Sequence, residues 1–312
     1  MRTERRIKLK KLEKEAVLRE RRILFSAVSF FIFILPYILH LSINGIQHID
    51  TNKFGNITQT LNVTVGKQTE SIQIETYLVG ALARYSEVTY EDETLKAIVV
   101  VLRSNAVCQI LKGDCVTRDS FYTDEELRIL WGREYEVNLQ RYQDVVTATE
   151  GIVLFYNGEI VEVPFHKLSA GKTRSSELWR QPVDYVCSVE SAEDMYADRY
   201  YEIREIKKDF IEPDFEILSR DAQGYVLMVR VKGKEVSGEE FRKKYNLPSA
   251  CFEYDEGTEF YTFYSRGCGH GFGLSLYGAN CLAVKGWHFA EILQYYYPGI
   301  EIRKENRSDI SA

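Results

Sequence analysis

Hydrophobic positions are unevenly distributed along this chain. From Ile23 to Leu39 no residue is charged, and the run ILFSAVSFFIFILPYIL is apolar almost throughout. Extended to Leu41, it approaches the ~20 residues that carry a helix across a bilayer. Pro36 is a kink of the kind membrane helices tolerate. No small-x-small cleavage site follows in HLSINGIQHID, and the basic segment in front is long. The run therefore reads as an uncleaved signal anchor rather than a removed signal peptide. Residues 42–73 turn polar and Asn/Thr-rich with a few alternating apolar positions, which predicts a stalk that ends in a strand.

From Ile74 the apolar positions become dense. TYLVGALARYSEVTYEDETLKAIVVVLRSNAV predicts a short apolar helix, a turn around Glu87–Asp92 and a second helix. The second is nearly all apolar from Leu95 to Leu102, apart from Lys96, as a buried helix would be. Arg103 closes it, either as a partner for the helix dipole or as a functional cation. After Trp131 alternation takes over. Asp144–Thr149, Ile152–Tyr156 and Ile160–His166 read as strands, with Asn157-Gly158 as a hairpin signal. A loop follows at Leu168–Thr173. Further hairpins are expected at Phe215–Leu218 with Tyr225–Val231, and at Phe252–Glu253 with Glu259–Tyr264. A short helix starts at Gly238, and a last one runs from about Trp287 to Tyr296 before Pro298-Gly299. The pattern predicts the α+β class. It gives one mixed extracytoplasmic domain of β-hairpins and a few helices over residues 74–302, on a transmembrane helix at 23–41 and a stalk at 42–73, with a tail at 303–312.

Charge sharpens this layout. Residues 1–22 hold ten Lys/Arg against four Glu, a net +6, which leaves −12 for the rest of a chain whose formal charge is −6. The basic tail stays cytoplasmic under the positive-inside rule, residues 23–41 meet the lipid bilayer, and everything after about residue 45 faces outward at the cell membrane. An acidic body argues against nucleic acid as a partner. At 45% hydrophobic and 28% charged, the 312 residues have ample material for a core. All six Cys lie in the outward part, where disulfides are permitted, but sequence chooses no pairing. There is no Cys-x-x-Cys. Cys268 and His270 lack further ligands at sensible spacing, so no metal site and no cofactor are expected.

The densest candidate chemistry lies in Gly267-Cys268-Gly269-His270-Gly271-Phe272-Gly273-Leu274-Ser275-Leu276-Tyr277-Gly278-Ala279. Glycine at this density brings backbone close to something else or supplies dihedrals that other residues reach only at a cost. With a His, a Ser and a Tyr inside it, the segment reads as a ligand-lining loop.

Several blocks then fall in a recognisable order. They are Tyr77-Leu78-x-Gly80, Glu93-x-Leu95-Lys96-Ala97 leading to Arg103, Ser169-x-Gly171-x-Thr173, and Val236-Ser237-Gly238-x-x-Phe241-Arg242. Gly269-His270-Gly271-x-Gly273-x-Ser275-x-Tyr277-Gly278-Ala279 and Ile292-Leu293-x-Tyr295-Tyr296-Tyr297-Pro298-Gly299 complete the set. In these blocks, over about residues 74–302, the chain resembles the stage II sporulation protein D (SpoIID/LytB-like) family of bacterial cell-wall proteins. The resemblance implies action on peptidoglycan glycan strands. Catalytic members are lytic transglycosylases that cut between N-acetylmuramic acid and N-acetylglucosamine with one carboxylic acid and no water. That acid is a Glu eight residues after the first Tyr of the blocks and eighteen before the Arg, and both counts reach Tyr85 here. A phenol with a reference pKa near ~10 is a poor proton donor for this step, and Glu87 is the weak substitute. The resemblance also implies that Arg103, Ser169, Gly171, Thr173, Gly269, His270, Gly271, Ser275 and Tyr277 bind the sugar, with His270 and Tyr277 facing Arg103. Three functions are carried forward. One is a membrane-anchored, sporulation-type, catalytically impaired binder of glycan strands that partners cell-wall hydrolases or a sporulation complex. Another is an active transglycosylase using Glu87, and the last is a scaffold of a cell-envelope complex.

Overall fold

The computed structural model describes residues 60–65, 68–176, 182–211 and 215–305. The basic tail, the anchor at 23–41 and the first part of the stalk lie outside the described residues.

The described fold opens with β1 (Thr60–Val65) and β2 (Gln68–Gln73), an antiparallel hairpin in register from Thr60↔Gln73 to Val65↔Gln68. Leu61 and Val63 point into the core while Asn62 and Thr64 face out, the period of a half-buried strand. The part of the stalk segment that is described is thus built into the folded body. Next come α1 (Ile74–Tyr85) and α2 (Asp92–Lys112). As its unbroken apolar run requires, α2 is buried from Ala97 to Ser104 and packs against α1. It stops at Gly113, whose φ of 70° lets the cap N–H reach back to Gln109 and Ile110. β3 (Val116–Thr117) joins β1 in parallel.

Two helices follow where the sequence pattern offered none. α3 (Asp124–Trp131) starts on a capping box, in which Thr123 accepts from the Glu126 amide and Glu126 accepts from the Thr123 amide. α4 (Tyr135–Ala148) absorbs residues 144–148 of the stretch expected as a strand. The alternation at Asp144–Thr149 is the tail of a longer helical stripe. Leu139, Tyr142, Val145 and Val146 recur every three or four residues and are buried, facing α1 and α2.

β4 (Ile152–Tyr156) and β5 (Glu159–Ile160) turn at Asn157 and Gly158, at φ of 53° and 84°, as the hairpin signal predicts. The strand expected over Ile160–His166, however, stops after Ile160 and resumes only past Pro164, which has no N–H to give a ladder. β6 (Phe165–His166) leads into the Ser169–Thr173 loop. The chain then enters a region with its own core. β7 (Tyr201–Lys207), β8 (Phe215–Arg220), β9 (Val226–Val231), β10 (Lys234–Ser237), α5 (Gly238–Lys244), β11 (Phe252–Glu256) and β12 (Phe260–Arg266) surround Phe215, Val229, Phe241, Phe252 and Phe263. Their sheets run β10-β9-β8 and β11-β12-β7.

The last elements return to the helical part. β13 (Leu274–Ser275) pairs in parallel with β6, and α6 (Leu276–Val284) and α7 (Phe289–Tyr296) pack on α2. β14 (Glu301–Lys304) pairs antiparallel with β4. Two of its residues come from the stretch expected as a C-terminal tail. Among the described residues, one helix is long and apolar enough to cross a membrane, and it is α2, mostly buried inside the protein.

Candidate functional site

A cleft of about 320 Å³ opens where the end of α1 meets the chain entering β7. One wall is Arg84, Tyr85, Ser86, Glu87 and Tyr90. Tyr85 is the last residue of α1, and its ring sits edge-on to Phe165, with centroids 5.1 Å apart. Burial pushes the Tyr85 phenol further above its ordinary value. Glu87 lies two residues on, exposed, in the turn between α1 and α2.

That turn is gripped from outside the wall. Arg141 on α4 donates to the Val88 carbonyl at 2.5 Å and the Tyr90 carbonyl at 2.6 Å, and holds Asp92 at 2.6 Å. Ser86 and Tyr142 share a hydrogen bond of 3.1 Å, and the Glu91 amide donates to Asn280 on α6 at 2.8 Å. The opposite wall is Ala197, Asp198, Arg199 and Glu202. Glu202 is paired with Arg199 and Arg204, each at 3.1 Å. Lys167, Leu168, Cys268 and Tyr277 complete the lining.

The Gly-rich segment frames this cleft from behind. Gly269 and Gly273 have φ of 110° and 67°. A Cβ would fall 2.8 Å from the His166 Cβ at the first and 1.9 Å from the Pro164 carbonyl oxygen at the second. Those contacts allow β13 to lie against β6. His270 accepts the Phe272 amide on Nδ1 at 3.0 Å, while its carbonyl accepts from Arg174 at 3.1 Å. His166 donates from Nδ1 to the Phe272 carbonyl at 3.0 Å. The two rings lie 5.7 Å apart. Desolvation lowers both imidazoles, His166 to about 4 and His270 to about 3, so both are neutral near pH 7.

Ser169 and Ser275 are fully buried and meet at Asp194, which accepts the Ser169 amide at 2.8 Å and the Ser275 hydroxyl at 2.9 Å. Burial raises the Asp194 carboxyl, opposed by these hydrogen bonds. Gly171 donates to Ser169 and its carbonyl accepts the Ser191 amide. Thr173 donates to the Cys187 carbonyl and accepts the Val189 amide. This loop is therefore a cross-braced support for the Gly-rich segment. Gly271 packs over the Tyr225 ring.

Arg103 departs from its expected place. It is 1% exposed and sits far inside α2, where Nε and Nη2 bind the two Glu75 oxygens at 2.9 and 2.8 Å. Its other donors go to the Thr149, Ile152 and Val146 carbonyls. The guanidinium is spent inside the core, and neither Arg103 nor His270 lines the cleft. Of the residues expected at the site, the structure brings together Tyr85, Glu87 and Tyr277. Sequence reasoning missed the Asp198–Glu202 wall, which no motif marks, and Lys167, which precedes the loop that was singled out.

Residues 64–156 match the family described as Stage II sporulation protein. Stage II sporulation protein D of Bacillus subtilis (strain 168) is 30% identical over 281 residues, covering 81% of each chain. The chain belongs to the stage II sporulation protein D family. The Bacillus amyloliquefaciens relative of the same name is 29% identical over 267 residues, covering 77% of this chain and 76% of that one. A 42-residue stretch, 14% of this chain and 6% of the other, is 48% identical to an amidase enhancer of Bacillus subtilis (strain 168). The family match contains the Tyr85 wall, whereas the Asp198–Glu202 wall lies beyond it.

Proposed function

We propose that the cleft holds a segment of a peptidoglycan glycan strand, and that this family member binds the strand without cutting it. The observation that carries the reading is Tyr85. It stands in the cleft wall at the position where the family resemblance puts the acid, and burial makes its phenol a still weaker proton donor. Tyr85 and Tyr277 offer ring faces and hydroxyls, a combination suited to sugar rings. Arg84, Lys167 and Arg199 supply donors, and Glu87, Asp198 and Glu202 supply acceptors. The apolar run at 23–41 would tether this domain to the cell membrane facing the wall, where it would assist cell-wall hydrolases or a sporulation complex.

A second reading is favoured by one contact: Glu87 lines the same cleft. As a transglycosylase acid, Glu87 would give its proton to the glycosidic oxygen of the departing N-acetylglucosamine. Its carboxylate would then take the proton of the muramyl 6-hydroxyl as that oxygen closes on the anomeric carbon, so no water is consumed.

The test incubates the full chain with purified glycan strands and follows both co-sedimentation and 1,6-anhydro products. Co-sedimentation without product is the expected result. Product that disappears in Glu87→Gln establishes the second reading. Neither binding nor product leaves a scaffold. Tyr85→Glu is expected to gain cleavage if the rest of the cleft is competent.

A further inference from the structure

The cleft contains three cations, and two of them are already engaged. Arg84 donates to the Tyr122 hydroxyl at 2.9 Å and to the Asp119 carbonyl at 3.3 Å. Arg199 pairs with Glu202 at 3.1 Å. Lys167 differs. Its side chain is exposed in the cleft, and among the described residues no hydrogen bond or ion pair reaches its ammonium.

Its backbone, by contrast, is held firmly. The Lys167 carbonyl accepts the Tyr277 amide at 3.2 Å. Immediately beyond it, Leu168 and Cys268 exchange amide-to-carbonyl bonds of 3.0 and 2.7 Å. Immediately before it, β6 pairs with β13, His166 opposite Ser275. Gly269 comes so close that its Cβ would meet the His166 Cβ at 2.8 Å and the Lys167 amide nitrogen at 3.6 Å. The Gly-rich segment is thus the seat on which Lys167 is mounted, beside Tyr277. An uncommitted ammonium on a fixed backbone, in a cleft where Arg199 is ion-paired and Arg84 is tied to two neutral oxygens, is arranged for an anion that arrives with the ligand.

We infer that Lys167 is a specificity-determining residue that pairs with a carboxylate on the bound sugar, so that the cleft prefers an acidic amino sugar to its neutral counterpart. The inference rests on the glycan-binding reading. No bond is made or broken in this step.

Calorimetric titration of the full chain tests it with two defined probes. One is the disaccharide of N-acetylglucosamine and N-acetylmuramic acid, whose lactyl group ends in a carboxylate. The other is N,N′-diacetylchitobiose, which lacks that group. The protein is expected to bind the acidic disaccharide about fivefold more tightly, the scale of a partly exposed charge pair, with the gain shrinking as salt rises. Lys167→Gln removes the gain and Lys167→Arg keeps most of it. A preference that survives Lys167→Gln overturns the inference, as does an equal gain from N-acetylglucosamine 6-phosphate over N-acetylglucosamine, which would mean that the site reads charge alone. No binding of either disaccharide by the unaltered protein would instead overturn the glycan reading itself.

Discussion

Replacing Glu75 by Gln is expected to destabilise the protein severely while leaving the cleft chemistry untouched. The Glu75–Arg103 pair is 2% and 1% exposed and bidentate, with oxygens 2.9 and 2.8 Å from Nε and Nη2. Removing one charge leaves the other buried without its counter-ion, a loss of roughly 3–5 kcal/mol. The remaining Arg103 donors reach the Thr149, Ile152 and Val146 carbonyls and the Thr149 hydroxyl, neutral acceptors that cannot neutralise it. At roughly 2–4 °C per kcal/mol for a domain of this size, the melting temperature should fall by about 6–20 °C. Urea unfolding of the full chain, read by circular dichroism, measures the loss. The double variant Glu75→Leu with Arg103→Met should recover most of it, because apolar replacements of similar volume leave no orphaned charge. Arg103→Met that abolishes glycan binding with an unchanged urea midpoint would refute this reasoning and return Arg103 to the ligand.

Three further outcomes follow from other contacts. His166 and His270, at about 4 and about 3, are both lowered below the unfolded value of 6.5. Between these limits the unfolded chain binds protons that the folded chain does not, so stability is full above pH 6.5 and is lost as pH falls. The loss is about 1.4 kcal/mol per pH unit for each histidine. Urea midpoints at pH 7 and 5.5 should differ accordingly, His166→Gln should flatten the slope, and a level profile in the unaltered protein would contradict the burial argument. Gly273→Ala places a methyl 1.9 Å from the Pro164 oxygen at a φ of 67°, so it should part β13 from β6 and lower both the melting temperature and glycan binding. Ser237→Ala removes the capping box at the start of α5, where Ser237 and Glu240 exchange bonds of 3.1 and 2.8 Å, and should cost about 1 kcal/mol without altering binding.

What the sequence made legible was whatever is written locally. The buried run of α2, the Asn157-Gly158 turn and the helix start at Gly238 all act within a few residues. α4 was misread at its end because six alternating residues also fit a strand, and its helical stripe shows only with Leu139 and Tyr142 included. Arg103 shows the harder limit. Its partner lies 28 residues away on another helix, and nothing in either segment marks the pairing. The cleft wall at Asp198–Glu202 was invisible for the same reason: it is defined by what it faces across the fold. The Gly-rich block was conspicuous, but its glycines mark a close approach of backbones behind the cleft, and the side chains it carries mostly brace that approach.

The return of the chain from β13 to β14 governs how this protein is made. α2 is apolar enough to cross a bilayer, yet α6 and α7, which pack on it, and the strand that pairs beside β4 are all synthesised more than 150 residues later. Until the ribosome has released them, the face of α2 that α6 and α7 cover and one edge of β4 are bare, although α1, α4 and β4 already pack on the rest of the helix, and such a species is prone to sticking to neighbours. Maturation of the N-terminal half is therefore coupled to completion of the C-terminal end, and a nascent chain stalled before Leu274 would be held in an unfinished, chaperone-dependent state.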